Sequence, residues 1–124
     1  MNIIISNANG DPIYKQIADQ VKTLILEGKL KEGEMLPSMR NLAVELRISF
    51  MTTKRAYEEL ERDGFIESYT GKGSFVKAQN VELYREEQIK RIEAMLAEAA
   101  DIARKTGISL SDLHDLLNLV TSEE

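Results

Sequence analysis

The stretch SMRNLAVELRISFMTTKRAYEEL, residues 38–60, decides the fold. Ser38 is a good N-cap, and Leu42, Ala43 and Leu46 follow it at the spacing of one buried helix face. Only Arg47-Ile48-Ser49 then intervene, and Ser49 is again a good cap, so a further helix begins three residues after the previous one stops. In that helix Thr53, Ala56, Tyr57 and Leu60 recur at i, i+3, i+4 and i+7, a stripe that faces inward and turns Phe50, Met51, Lys54, Glu58 and Glu61 outward. So short a connector between two amphipathic helices is helix-turn-helix spacing.

Upstream, Asp11 is expected to cap a helix with Pro12 at its first position, and Ile13, Ile17, Val21, Leu24 and Ile25 form its apolar stripe up to Gly28. Gly33 and Met35-Leu36 read as a turn and a brief extended segment. Downstream, Gly64 stops the third helix. Two β-prone runs, Phe65 to Tyr69 and Ser74 to Val76, flank the tip Thr70-Gly71-Lys72-Gly73 and predict a hairpin. Three helices followed by a hairpin make a winged helix-turn-helix.

Residues 77–81, with Lys77, Gln79 and Asn80 among them, are mostly polar and mark a boundary. Beyond them Ile89, Ile92, Leu96, Ala99 and Ala103 repeat at intervals of 3, 4, 3 and 4 with charged residues between, a heptad-like seam. Gly107 breaks this helix, and Ser109 or Ser111 can cap a last one with Leu110, Leu113, Leu116, Leu117 and Val120 along one side. Two such helices in about 45 residues cannot bury their own apolar faces. The simplest partner is a second copy, which makes Ile89, Ile92, Leu96, Ala99, Ala103, Leu113, Leu116, Leu117 and Val120 candidate dimerisation residues. The expected fold class is mainly α with a small β-hairpin: a winged helix-turn-helix over 1–78 and a two-helix C-terminal dimerisation tail over 79–124.

The 124 residues carry 16 Lys and Arg against 21 Asp and Glu, a formal charge of -5. The imbalance is local: residues 1–78 hold 11 of each sign, and residues 79–124 hold 5 basic and 10 acidic. Between 38 and 57 the bases are Arg40, Arg47, Lys54 and Arg55 against Glu45 alone, so this segment can face phosphates although the whole chain is acidic. With no Cys and one His, His114, thiol chemistry, disulfides and Cys/His metal sites are excluded, and His114 reads as structural or surface. Gly71-Lys72-Gly73 lacks the spacing of a nucleotide-binding loop and leads into a strand. Glu58/Glu59 and Glu86/Glu87 are adjacent, hence splayed around helices rather than paired. No nucleophile, base and orienter set stands out, so neither enzymatic activity, nor a cofactor, nor a metal is expected. The early run Ile3 to Ile5 is far short of a secretion signal or of the ~20 residues that cross a bilayer, so a cytoplasmic protein with no membrane partner is expected.

The N-terminal residues of a recognition helix enter the major groove. Here Lys54 and Arg55 can meet phosphates or guanine edges, Ser49 and Thr52 phosphate oxygens, and Phe50 or Met51 a thymine methyl. A solvated basic face is the plain alternative for two cations taken alone; the short turn, the wing and the local charge surplus together favour DNA. Ser38 and Arg40 lie at the start of the helix that crosses the backbone, and Gly71 and Lys72 suit a close approach to phosphate or minor groove. An ordinary hairpin turn explains Gly71-Lys72-Gly73 equally well.

Leu36-Pro37-Ser38-Met39-Arg40-Asn41-Leu42-Ala43, with Ile48-Ser49, Thr52 to Glu61, Gly64-Phe65-Ile66 and Gly71 to Val76, resembles the GntR family of bacterial transcription regulators. The short helical tail is similar to that of its YtrA subfamily, whose members end in two dimerising helices instead of a metabolite-binding domain. The resemblance places the Arg of the family's Pro-Ser-x-Arg motif on Arg40, its phosphate-contacting Thr on Thr52, the basic residue that follows on Lys54 and the wing's minor-groove Gly on Gly71. Many relatives have Arg or Pro at Phe50, Gly at Arg47 and Glu at Asn41. The first departure leaves open whether Phe50 reads a base or packs. The second implies either a locally different turn or an extra phosphate contact, and the third a weaker capping box with Ser38.

The resemblance implies a homodimeric, sequence-specific repressor of a transporter operon or its own operon, bound to double-stranded DNA at an inverted repeat. The tail leaves room only for a small effector pocket between the dimer helices, its ligand unspecified. Two other readings compete. A protein-interaction module would use the acidic tail and bind DNA without salt sensitivity or not at all. A fragment of a regulator fused to a pyridoxal-phosphate aminotransferase-like domain would need a catalytic domain this chain has no room for.

Overall fold

The computed structural model describes residues 1–8 and 10–122. The chain divides into two units, Met1–Asn80 and a second from Val81 onward. The first holds α1 (Ile13–Leu26), α2 (Met39–Leu46), α3 (Phe50–Arg62), β1 (Ile66–Tyr69) and β2 (Gly73–Val76); the second holds α4 (Val81–Thr106) and α5 (Leu110–Thr121). The fold is mainly helical with one hairpin, as the sequence predicts.

The expected stripe of α3 is the buried one: Thr53, Ala56, Tyr57 and Leu60. α1 and α2 each pack against α3 and scarcely touch one another. Ile17, Val21, Leu42, Leu60, Phe65 and Ile66 are almost completely enclosed with Tyr57. The Tyr57 hydroxyl donates to the Pro37 carbonyl at 2.6 Å, which ties α3 to the segment before α2. Lys22 Nζ lies 2.7 Å from Asp63 Oδ2, and Arg55 stacks on Tyr14. Both pairs are 41 residues apart, so α1 and α3 run side by side in the same direction.

The start of α1 differs from expectation. Pro12 itself is the N-cap, with ψ 152°, and no side chain caps the helix. Its carbonyl accepts from the Lys15 and Gln16 amides, both at 3.1 Å, while the Asp11 carboxylate lies 3.6 Å from Lys15 Nζ. Proline fits there because a helix's first N–H groups need no intrahelical acceptor.

α1, α3 and α4 each end at a glycine with positive φ (Gly28, Gly64 and Gly107), after which the next amide reaches back five residues: Lys29 to Leu24, Phe65 to Leu60, Ile108 to Ala103. α2 closes identically, Ile48 N to Ala43 O at 3.0 Å, but its left-handed residue is Arg47, φ 57°. The turn is therefore not locally different from a glycine turn. An arginine adopts the glycine's conformation.

β1 and β2 pair antiparallel with Tyr69 opposite Gly73. Residues 33–36 add to the far edge of β2: Gly33 N to Val76 O at 2.8 Å, Val76 N to Glu34 O and Leu36 N to Ser74 O at 2.9 Å. The N-terminal residues lie along α1 through two side chains. Gln20 accepts from Ile4 N and donates to Ile4 O, and Gln16 does the same for Ser6. Four helical residues rise about 6 Å and two extended residues about 6.6 Å, so glutamines at i and i+4 match alternate residues of a strand.

In the second unit Ser109, rather than Ser111, caps α5, in a capping box with Asp112. Of the residues expected in the seam, Ala103 is 3% exposed within the single chain. Ile89, Ile92, Leu96, Leu116, Leu117 and Val120 are exposed. No described helix is long and apolar enough to cross a membrane.

Candidate nucleic-acid interface

The interface is built on the two helix starts of the turn. Ser38 Oγ accepts from Asn41 N and Ser49 Oγ from Thr52 N, both at 3.1 Å. Ser49 and Thr52 hydroxyls also share a hydrogen bond of 2.8 Å. Each cap satisfies an otherwise open amide at the helix end presented outward, where the helix dipole favours anions.

Around α3 the residues sort by angle. Five residues turn an α-helix through about 500°, so Phe50 and Arg55 stand about 140° apart, with Lys54 and Met51 between them about 40° and 100° from Phe50. All four are exposed. Glu58 occupies the same sector one turn past Lys54, about 12 Å along the axis from Phe50, so the first two turns carry no acid there.

The two edges of this sector are fixed by neighbouring elements. On the α2 side, the Arg40 guanidinium lies over the Phe50 ring, 5.9 Å from its centroid. On the α1 side, the Arg55 guanidinium lies 3.9 Å from the centroid of Tyr14. Phe50 thus makes a contact across elements while the residue stays 42% exposed. Tyr14 has no counterpart in the sequence reading; a partner 41 residues away leaves no local periodicity to find.

At the tip of the wing the Lys72 amide closes on Tyr69 O at 2.9 Å, and Gly71 takes φ 77° in that turn. The Tyr69 hydroxyl donates to Glu67 Oε2 at 2.8 Å; this bond and the carboxylate's charge hold the phenol above its usual pKa. A groove of about 750 Å³ separates wing and helix, and its lining brings together Ser38, Arg40, Phe50, Gly71 and Lys72. Arg47, Lys54 and Arg55 lie outside that lining. The second unit carries an apolar hollow of about 480 Å³ lined by Leu96, Ala99, Leu113, Leu116, Leu117 and Val120 among others, with His114 its one titratable member.

A helix-turn-helix with a basic face on its second helix and a glycine-tipped wing is the architecture of a DNA-binding regulator. The family "Bacterial regulatory proteins, gntR family" matches residues 13–76. The chain is 33% identical over 121 residues to the HTH-type transcriptional repressor YtrA of Bacillus subtilis, covering 98% of this chain and 93% of that one. Among solved structures it is similar to YtrA from Sulfolobus acidocaldarius, a GntR-family transcription factor (39% identity, 74% of this chain and 97% of that one, TM-score 0.61). It is also similar to a transcriptional antiterminator from Listeria monocytogenes (28% identity, 98% of this chain and 90% of that one, TM-score 0.71). The chain belongs to the GntR family and is a DNA-binding transcriptional regulator. Its relatives are regulators rather than enzymes.

Proposed function

We propose that the protein is a cytoplasmic homodimeric repressor that reads an inverted repeat in double-stranded DNA, one half-site per winged helix. The observation that carries this reading is the sector of α3 between Phe50 and Arg55. Only Met51 and Lys54 occupy it in the first turns, and cations border it on both sides. Lys54 matches guanine O6 and N7, and Met51 a thymine methyl. Ser38, Arg40, Arg47, Ser49, Thr52 and Arg55 are assigned to backbone phosphates around them, and Gly71 and Lys72 to the groove beneath the wing. Phe50 is assigned to supporting Arg40 rather than to a base.

The exposed apolar faces of α4 and α5 are assigned to the second copy, with half-sites about one helical turn apart or a multiple of it. Likeness to YtrA favours a transporter operon or the protein's own operon as target. An effector, if the regulator takes one, would be small enough for a pocket between dimer helices. The test is binding to DNA upstream of its own gene at two salt concentrations against scrambled competitor. Specific, salt-sensitive retention with a two-fold footprint is expected. Salt-insensitive or absent binding by the folded protein would favour the interaction-module reading instead.

A further inference from the structure

The two arginines that border the exposed sector of α3 are not free side chains. Arg55 belongs to α3 and lies close over a ring from α1, 3.9 Å from its centroid; Arg40 belongs to α2 and lies more loosely over a ring from α3, at 5.9 Å. α1 and α2 each pack on α3 and scarcely on one another, and Phe50 and Arg55 stand about 140° apart around α3, so the two guanidinium groups border its exposed sector at separate edges. A major groove is bordered by one phosphate strand on each side.

We propose that Tyr14 and Phe50 are positioning residues for DNA binding, seats that hold the Arg55 and Arg40 guanidinium groups toward the two phosphate strands flanking the groove that α3 enters. The inference rests on the DNA-binding reading above and adds how its cations are aimed. A guanidinium held over a ring keeps its N–H donors in its own plane, so its outer edge stays available to a phosphate. An unsupported arginine has many rotamers to give up on binding, and a seat removes part of that cost before DNA arrives. Lysine cannot use the seat equally, because its charge is compact rather than planar. Tyr14 is suited to this use because it is half-buried in the first turn of α1, anchored by the helix that carries it.

The experiment uses the full chain and a duplex enriched by the wild-type protein from a random-sequence pool, with affinity measured over a range of salt. Arg55→Ala is expected to weaken binding and lower the salt slope by about one. Tyr14→Leu, with a melting curve to establish folding, is expected to weaken binding about two- to fivefold. Tyr14→Phe keeps the ring and should restore affinity. The double variant Tyr14→Leu/Arg55→Ala is expected to bind no more weakly than Arg55→Ala alone, because an empty seat has nothing to hold. Phe50→Leu should stand in the same relation to Arg40→Ala. Arg55→Lys carries the test independently of Tyr14→Leu folding: it keeps the charge, loses the planar group and should bind more weakly than wild type. Unchanged binding in Tyr14→Leu or Arg55→Lys, or losses that multiply in the double variant, would overturn the seats. A wild-type protein that enriches no duplex would overturn the DNA reading itself, whereas a binding wild type with an unaffected Arg55→Ala would overturn only this proposal.

Discussion

Four described helices, α1 to α4, close on a left-handed residue, and Arg47 at φ 57° is the non-glycine among them. A side chain in that conformation costs about 1–2 kcal/mol, part of which a glycine would return as greater freedom of the unfolded chain. Arg47→Gly is therefore expected to stabilise the protein by about 0.5–1 kcal/mol, read as a higher urea midpoint at unchanged slope. If the guanidinium meets a phosphate, the same variant binds DNA more weakly with a salt slope lower by about one. A gain in stability with unaltered binding would take Arg47 off the contact surface. Tyr57 makes the opposite kind of contribution. Burial pushes its phenol well above the ordinary 10.0, so the folded state keeps the proton to higher pH than the unfolded state. Its contribution is intact below about pH 10 and fades as pH rises beyond that. Tyr57→Phe, which leaves the Pro37 carbonyl without its donor, is expected to cost about 1–2 kcal/mol at neutral pH. The variant should also lose stability less steeply between pH 10 and 11 in chemical denaturation, and an equally steep loss would assign the alkaline sensitivity elsewhere.

The extended N-terminal residues are held as an element by two glutamine amides rather than by a sheet. Gln16 is buried and also donates to Asp11 O at 3.0 Å, so Gln16→Leu strands the amide and carbonyl of Ser6 together. A loss of about 2 kcal/mol is expected, with faster hydrogen exchange at Ser6 and slow exchange retained in α3; uniform acceleration across the unit would mean that the ladder is integral to the core. In the wing, a Cβ at Gly73 would stand 3.2 Å from Met35 Sδ at φ 114°, so Gly73→Ala should loosen β2 from residues 33–36. These are the elements that sequence pattern served least. The stripe of α3, the three-residue turn and the Gly64 stop were legible because each is a local periodicity or a local backbone need. The Gln16–Ser6 and Gln20–Ile4 ladder was not, because it joins segments with no shared period. Met35 was legible only as extended chain, since its role depends on which strand it meets. At the candidate site, the residue types on α3 could be read from 3.6-residue spacing. Tyr14 beneath Arg55 could not, since the pair meets only after α1 has packed on α3, and Phe50 stayed ambiguous until Arg40 was placed above it.

Across the whole molecule, the unit from Val81 onward has too little interior for its apolar content. Ile92, Leu96, Leu116 and Leu117 are about half exposed and Val120 is 70% exposed, and all but Ile92 line the same apolar hollow, a kind of surface that marks an interaction site. The proposed second copy supplies the cover, and a sedimentation mass of two chains is the first expected result. Leu116→Glu would place a carboxylate in that interface, where desolvation without a partner makes the charge costly, so the variant should sediment as a monomer. The consequence for DNA follows from counting contacts. Two linked winged helices bind as one multivalent ligand, and separating them forfeits an enhancement on the order of 10²-fold or more. Because each protomer contributes its own phosphate contacts, the salt slope of the monomer should fall to about half that of the dimer. The winged-helix unit has its own core, so its melting signal should survive the substitution. A monomer that keeps both full affinity and full slope would show that one winged helix suffices and would reassign the apolar tail to a different partner. A dimeric Leu116→Glu would place the interface on another face.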